Sequence, residues 1–102
     1  MIPLIESRRR DIQTLCQRFK VKHLTLFGSA AEETFDAQRS DLDFLVEFLP
    51  LQAGEHADVY FGLLHGLEDL FQRKIDLVTL RAIRNRYFLN AVQNQQQVIY
   101  VA

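Results

Sequence analysis

The chain predicts a small α/β or α+β fold, a β-sheet covered by helices, and three observations carry that expectation. Segments with apolar residues at a 3.6-residue period alternate with short runs of β-type residues. Glycine, proline or polar clusters stop those runs. The 102 residues are 48% hydrophobic and 25% charged, which suits one compact domain with a core. No repeat, linker or low-complexity segment divides residues 1–102, so a single domain is expected.

The elements follow in order. Leu4, Ile5, Ile12, Leu15, Cys16 and Phe19 keep helical spacing and Pro3 suits a first turn, which predicts a helix from Pro3 to Arg18. "VKHLTLFGS" predicts a buried strand from His23 to Phe27, ended by Gly28. "SAAEETFDAQRS" is polar and aperiodic and reads as a short helical turn from Ser29 with a loop to Ser40. "DLDFLVEF" is a second strand. After a break at Pro50 and Gly54, Tyr60, Leu63, Leu64, Leu67, Leu70 and Phe71 mark an amphipathic helix. "KIDLVTL" is a third strand. "RAIRNRYFLNAVQNQQQ" reads as a helix with Ile83, Tyr87, Phe88, Ala91 and Val92 available for packing, and "VIYVA" as a short closing strand.

Composition narrows the function classes. No apolar run approaches the roughly 18 residues of a membrane span, and "MIPLIESRRRD" is unlike a signal peptide, so a cytoplasmic protein is expected. A single cysteine, Cys16, excludes an intrachain disulfide and a cysteine-rich zinc site; its spacing suits the core. A net charge of -1 gives no reason to expect direct binding to a nucleic-acid backbone, Arg8, Arg9 and Arg10 being a local exception.

The chemistry concentrates in a few acids. Alternation along a strand points Asp41 and Asp43 one way and Leu42, Phe44, Val46 and Phe48 the other. Like charges this close repel, and a divalent cation removes that cost. Magnesium prefers such oxygen ligands and is commonly held by one or two carboxylates plus substrate phosphates. A loop cap at Asp41 with a solvated strand end at Asp43 would produce the same spacing. Gly28 and Ser29 stand where the first strand hands over to a helical turn, a place where free N–H groups and a hydroxyl can receive phosphate oxygens; an ordinary turn is the plainer reading. Asp76, flanked by Ile75, Leu77 and Val78 in a strand expected nearby, is placed to complete a three-carboxylate cluster. Glu68 and Asp69 fall on the polar side of the long helix, and Glu47 reads as exposed or edge-facing.

The constellation "GS", eleven intervening residues, "DLD" and a later strand acid resembles the nucleotidyltransferase superfamily typified by DNA polymerase beta. Over nearly all 102 residues, including "LTLFGSAAEE", "SDLDFLVEF", "KIDLVTL" and "RNRYFLNAVQNQQQVIYVA", the chain resembles the minimal nucleotidyltransferases, the MNT proteins. That resemblance implies a nucleotidyltransferase fold, a small mixed β-sheet covered by helices, in which Gly28 and Ser29 contact nucleotide phosphates while Asp41, Asp43 and Asp76 serve Mg2+ ions and catalysis, with ATP as substrate. It implies in-line attack of an acceptor oxygen on the α-phosphate with release of pyrophosphate. It further implies a partner, since MNT proteins are often encoded beside HEPN-domain proteins, ribonuclease toxins in many cases. They act as antitoxins by complexing the toxin or by transferring AMP to a toxin tyrosine.

One departure bears on activity. Many MNT proteins continue Gly-Ser with arginines, where this chain has Ala30 and Glu32. Retained Asp41, Asp43 and Asp76 favour an adenylyltransferase antitoxin; the missing arginines favour a degenerate domain that neutralises a toxin by stoichiometric binding. Transfer of a nucleotide to a small molecule is a third reading, without a visible acceptor-binding domain. Tyr87, Phe88, Ile99 and Tyr100 are the apolar candidates for a hetero-oligomeric contact, with an intramolecular core role as the alternative.

Overall fold

In a computed structural model of the chain, residues 3–27, 42–79 and 97–102 are described. They form α1 (Pro3–Glu6), α2 (Arg9–Arg18), β1 (Val21–Phe27), β2 (Leu42–Phe48), α3 (His56–Phe71), β3 (Ile75–Thr79) and β4 (Gln97–Val101). The predicted turn after Ser29 with its loop lies outside the described residues, as does residue range 81–96 of the predicted last helix. Gln97, assigned to that helix from sequence, instead begins β4, where it stands opposite Leu26 of β1.

The helix expected from Pro3 to Arg18 is two helices. The Ser7 hydroxyl turns back to donate to the Leu4 carbonyl at 3.1 Å, a local bond that competes with helix continuation. Arg8 then leaves helical geometry at φ -115° and ψ 13°. Arg9 spans the break by pairing with Glu6 at 2.7 Å. The helical period survives it, because Ile5, Ile12 and Cys16 are all fully buried. Burial pushes the Cys16 thiol up to about 12.

The sheet has strand order β3-β2-β1-β4. β1 is antiparallel to both β2 and β4, whereas β2 and β3 are parallel. A parallel pair needs a long crossover; α3 supplies it. Leu24, Leu26, Leu42, Phe44, Val46, Ile75 and Leu77 form one buried core with Leu63, Leu67 and Phe71 of α3 and Ile12 and Cys16 of α2. One face of the sheet is therefore the helix-covered face. The opposite face carries a smaller cluster, Phe27 and Leu45 with Val78 packed against them.

Two local features complete the packing. In β4 the register slips between Leu24 and Thr25, so that Tyr100 faces Leu24 and Val98 faces Thr25. The extra residue, Ile99, turns inward at the bulge. Ile99 joins the core and Tyr100 packs against it, which gives both the intramolecular role. In α3, Gly62 and Gly66 lie one turn apart against α2: a methyl added at Gly62 would meet the Phe19 ring, and one at Gly66 would meet Leu15. Glycine here permits close approach of the two helices. No described helix is long and apolar enough to cross a membrane.

Candidate functional site

The acids meet at one end of the parallel strand pair. Asp43 of β2 and Asp76 of β3 are register partners, so their Cα atoms sit on adjacent strands about 4.8 Å apart across the sheet. Their neighbours Leu42, Phe44, Ile75 and Leu77 point into the helix-covered core. By alternation, both carboxylates project from the opposite face, Asp43 half-buried and Asp76 exposed. Phe27, the last residue of β1, stands opposite Asp43, extending the row to three strands. Phe27 and Leu45 are buried beside the acids with Val78 packed against them, and this apolar flank strengthens charge interactions there relative to open water.

Asp41, Gly28 and Ser29 lie outside the described residues. The structure thus brings together two of the three predicted acids. Asp43 and Asp76 are hard oxygen donors on one face, a set that fits magnesium. Among the described residues no group of three or more His, Cys, Asp or Glu side chains clusters. Three other described acids are solvated or paired. Glu47 faces His23 at 3.4 Å and Lys22 at 4.0 Å, Glu68 pairs with His65 at 3.0 Å, and Asp69 is exposed.

Sequence reasoning placed Tyr60 only as a helix-period packing residue. In the structure its hydroxyl donates to the Leu77 carbonyl at 2.6 Å. Leu77 directly follows Asp76. Burial first, and the Asp76 charge second, hold the Tyr60 phenol above its ordinary value, so the hydroxyl remains a donor. The alternating polarity of an amphipathic helix beside a parallel strand could have hinted at this contact, because a phenol at a helix–sheet boundary seeks a partner.

A surface cleft of about 760 Å³ lies elsewhere, lined by Phe48, Leu49, Pro50, His56 and Thr79 among others. Its nearest lining residue on β2, Val46, is three residues from Asp43, about 10 Å along the strand. Its size does not make it the acid site.

Residues 9–99 match the family described as "Nucleotidyltransferase domain". The chain belongs to that family. It is 34% identical over 98 residues to a Methanocaldococcus jannaschii protein named "Putative protein adenylyltransferase MJ1379", a match spanning 94% of this chain and 92% of that protein. A second protein of that organism, "Putative protein adenylyltransferase MJ0128", is 36% identical over 95 residues, spanning 91% of this chain and 89% of its own length. Among solved structures, one described as "Structure of putative minimal nucleotidyltransferase" superposes with a TM-score of 0.74 at 26% identity, over 94% of this nucleotidyltransferase and 95% of that chain. Another, "Crystal structure of the toxin-antitoxin with AMP-PNP", gives 0.70 at 22% identity over 92% and 73%, a likeness of fold. The mixed four-stranded sheet with helices is thus the minimal nucleotidyltransferase fold.

Proposed function

We propose that this nucleotidyltransferase is a cytoplasmic, magnesium-dependent protein adenylyltransferase that acts as an antitoxin. It transfers AMP from ATP to a tyrosine or other hydroxyl of a cognate HEPN-type toxin. The observation that carries the reading is the register pairing of Asp43 with Asp76 on the face away from the helices. Family membership and relatives named as protein adenylyltransferases support the reaction class, and a toxin–antitoxin structure of the same fold supports the partner class.

Asp43 and Asp76, with Asp41, would hold magnesium, which when bound supplies positive charge against the triphosphate. Gly28 and Ser29 receive phosphate oxygens through backbone N–H groups and a hydroxyl, orienting the α-phosphate for in-line attack. Asp76 accepts the proton of the acceptor hydroxyl at a carboxylate oxygen as the new P–O bond forms and pyrophosphate leaves. No side chain of this protein becomes covalently modified.

The substitution pattern after Gly-Ser favours one other reading, a domain that neutralises its toxin by contact alone. Ala30 and Glu32 stand where charge-assisted contacts to phosphate would come from arginines. Calorimetric titration of ATP with and without magnesium tests the metal-dependent site. Binding should strengthen with magnesium in the parent chain and lose that dependence when Asp41→Asn and Asp43→Asn are combined. Equal affinity with and without the ion in the parent chain would refute it.

A further inference from the structure

We infer that Tyr60 is a positioning residue for the acid pair: its hydroxyl anchors the outer edge of β3 and so holds Asp76 in register with Asp43. The inference rests on the reading of Asp43 and Asp76 as metal-binding acids. Among the described strands β3 is an edge, bonded only to β2. The Leu42 N–H donates to the Lys74 carbonyl at 3.4 Å. In a parallel ladder that bond sets the phase, so the polar backbone groups of Asp76 turn toward β2 while the carbonyl of Leu77 turns outward. Tyr60 donates to that outward carbonyl at 2.6 Å.

Asp76 is the second residue of a five-residue strand. Its backbone is secured on the inner side by the ladder, and the Leu77–Val78 peptide, one unit further on, is secured on the outer side by the phenol. Without the hydroxyl, an edge carbonyl beside a half-buried ring loses its partner and the strand gains freedom to twist about the β2 ladder. The carboxylate then samples positions away from Asp43. The ring itself is fixed by other contacts, with its centroid 5.1 Å from Phe61 and 6.4 Å from His56, so Tyr60→Phe removes the anchor and leaves the packing.

Manganese(II) alone, titrated by electron paramagnetic resonance, reads the acid pair without turnover. Tyr60→Phe should weaken manganese binding by roughly three- to tenfold, less than the 10- to 100-fold typical of a direct partner of a metal ligand. Amide hydrogen exchange at Asp76 and Phe44 should quicken in the same variant while α2 keeps its protection. A small loss of global stability leaves the chain folded and moves neither readout selectively. Parent-like manganese affinity in Tyr60→Phe, with Asp76→Asn abolishing binding, would overturn the positioning role and leave the acid site standing. Parent-like affinity in both Asp43→Asn and Asp76→Asn, or no binding by the parent, would overturn the acid site itself and the inference with it.

Discussion

Replacing Gly62 with alanine should destabilise the protein even though alanine is the better helix former. On propensity alone, Gly→Ala inside α3 gains about 0.8–1.0 kcal/mol. The added methyl, however, would lie 2.8 Å from Phe19 Cδ1 and Cζ, and nearer still to Cε1. An aromatic ring cannot yield at one atom; it must move as a plate, and Phe19 packs against the main core. Overpacking of this kind costs about 1–3 kcal/mol, so the net loss should be about 1 kcal/mol, or roughly 4–8 °C in Tm for a domain of this size. Gly66→Ala is the internal comparison. There the nearest atom is Leu15 Cδ2 at 2.6 Å, the far end of a flexible side chain that can rotate away, so the propensity gain and the steric cost should nearly cancel. Urea titrations of both variants, with Gly62→Ala also placed in a Phe19→Leu background, measure the coupling directly. Gly62→Ala more stable than the parent, or as costly in Phe19→Leu as in the parent, would refute the steric reasoning.

Two further outcomes follow from the charge and thiol environments. Cys16 is fully buried with its thiol pushed up to about 12, so a thiol reagent at neutral pH should label it only at the rate of unfolding, a rate that rises with urea. Glu55 is held below its ordinary value, first by the Lys20 ammonium hydrogen bond at 2.5 Å and then by the Gln52 N–H at 3.1 Å. A lowered carboxyl contributes stability above the ordinary carboxylate range and loses it as pH falls through the folded-state value. The acid limb of the stability profile should therefore be shallower in Glu55→Gln, measured by denaturant midpoints from about pH 7 down through about pH 4.

The sequence was legible where periodicity and burial agree. The apolar alternation of β2 marked Leu42, Phe44 and Val46 as the core face, and all three are fully buried; that alone put Asp43 on the other face. Asp76 was legible for the same reason, since Ile75 and Leu77 are buried on either side of it. The helical break at Ser7 and Arg8 was not, because the apolar spacing runs unbroken across it while a hydroxyl-to-carbonyl bond decides the geometry. β1 begins at Val21, two residues earlier than predicted, because pairing with Phe48 draws Val21 into the ladder. Gln97 was misassigned because a run of glutamines carries no period, while its partner in β1 is set by tertiary pairing. The contact of Tyr60 with β3 joins residues 17 apart, and its spacing with Leu63, Leu64 and Leu67 signalled only a helix face.

The most direct test of the central claim, that the Asp43–Asp76 face is a working adenylyl-transfer site, is the intact mass of the proposed toxin partner. The toxin would be incubated with this protein, ATP and magnesium, then separated from it. One or more added AMP units are expected with the parent chain, together with lasting inactivation of the toxin. The mark should vanish with an Asp41→Asn and Asp43→Asn double variant whose circular dichroism matches the parent, because in the proposed mechanism the acids position the transferring phosphate. An unchanged toxin mass, with the double variant neutralising as well as the parent, would contradict the claim and leave contact alone as the mode of action.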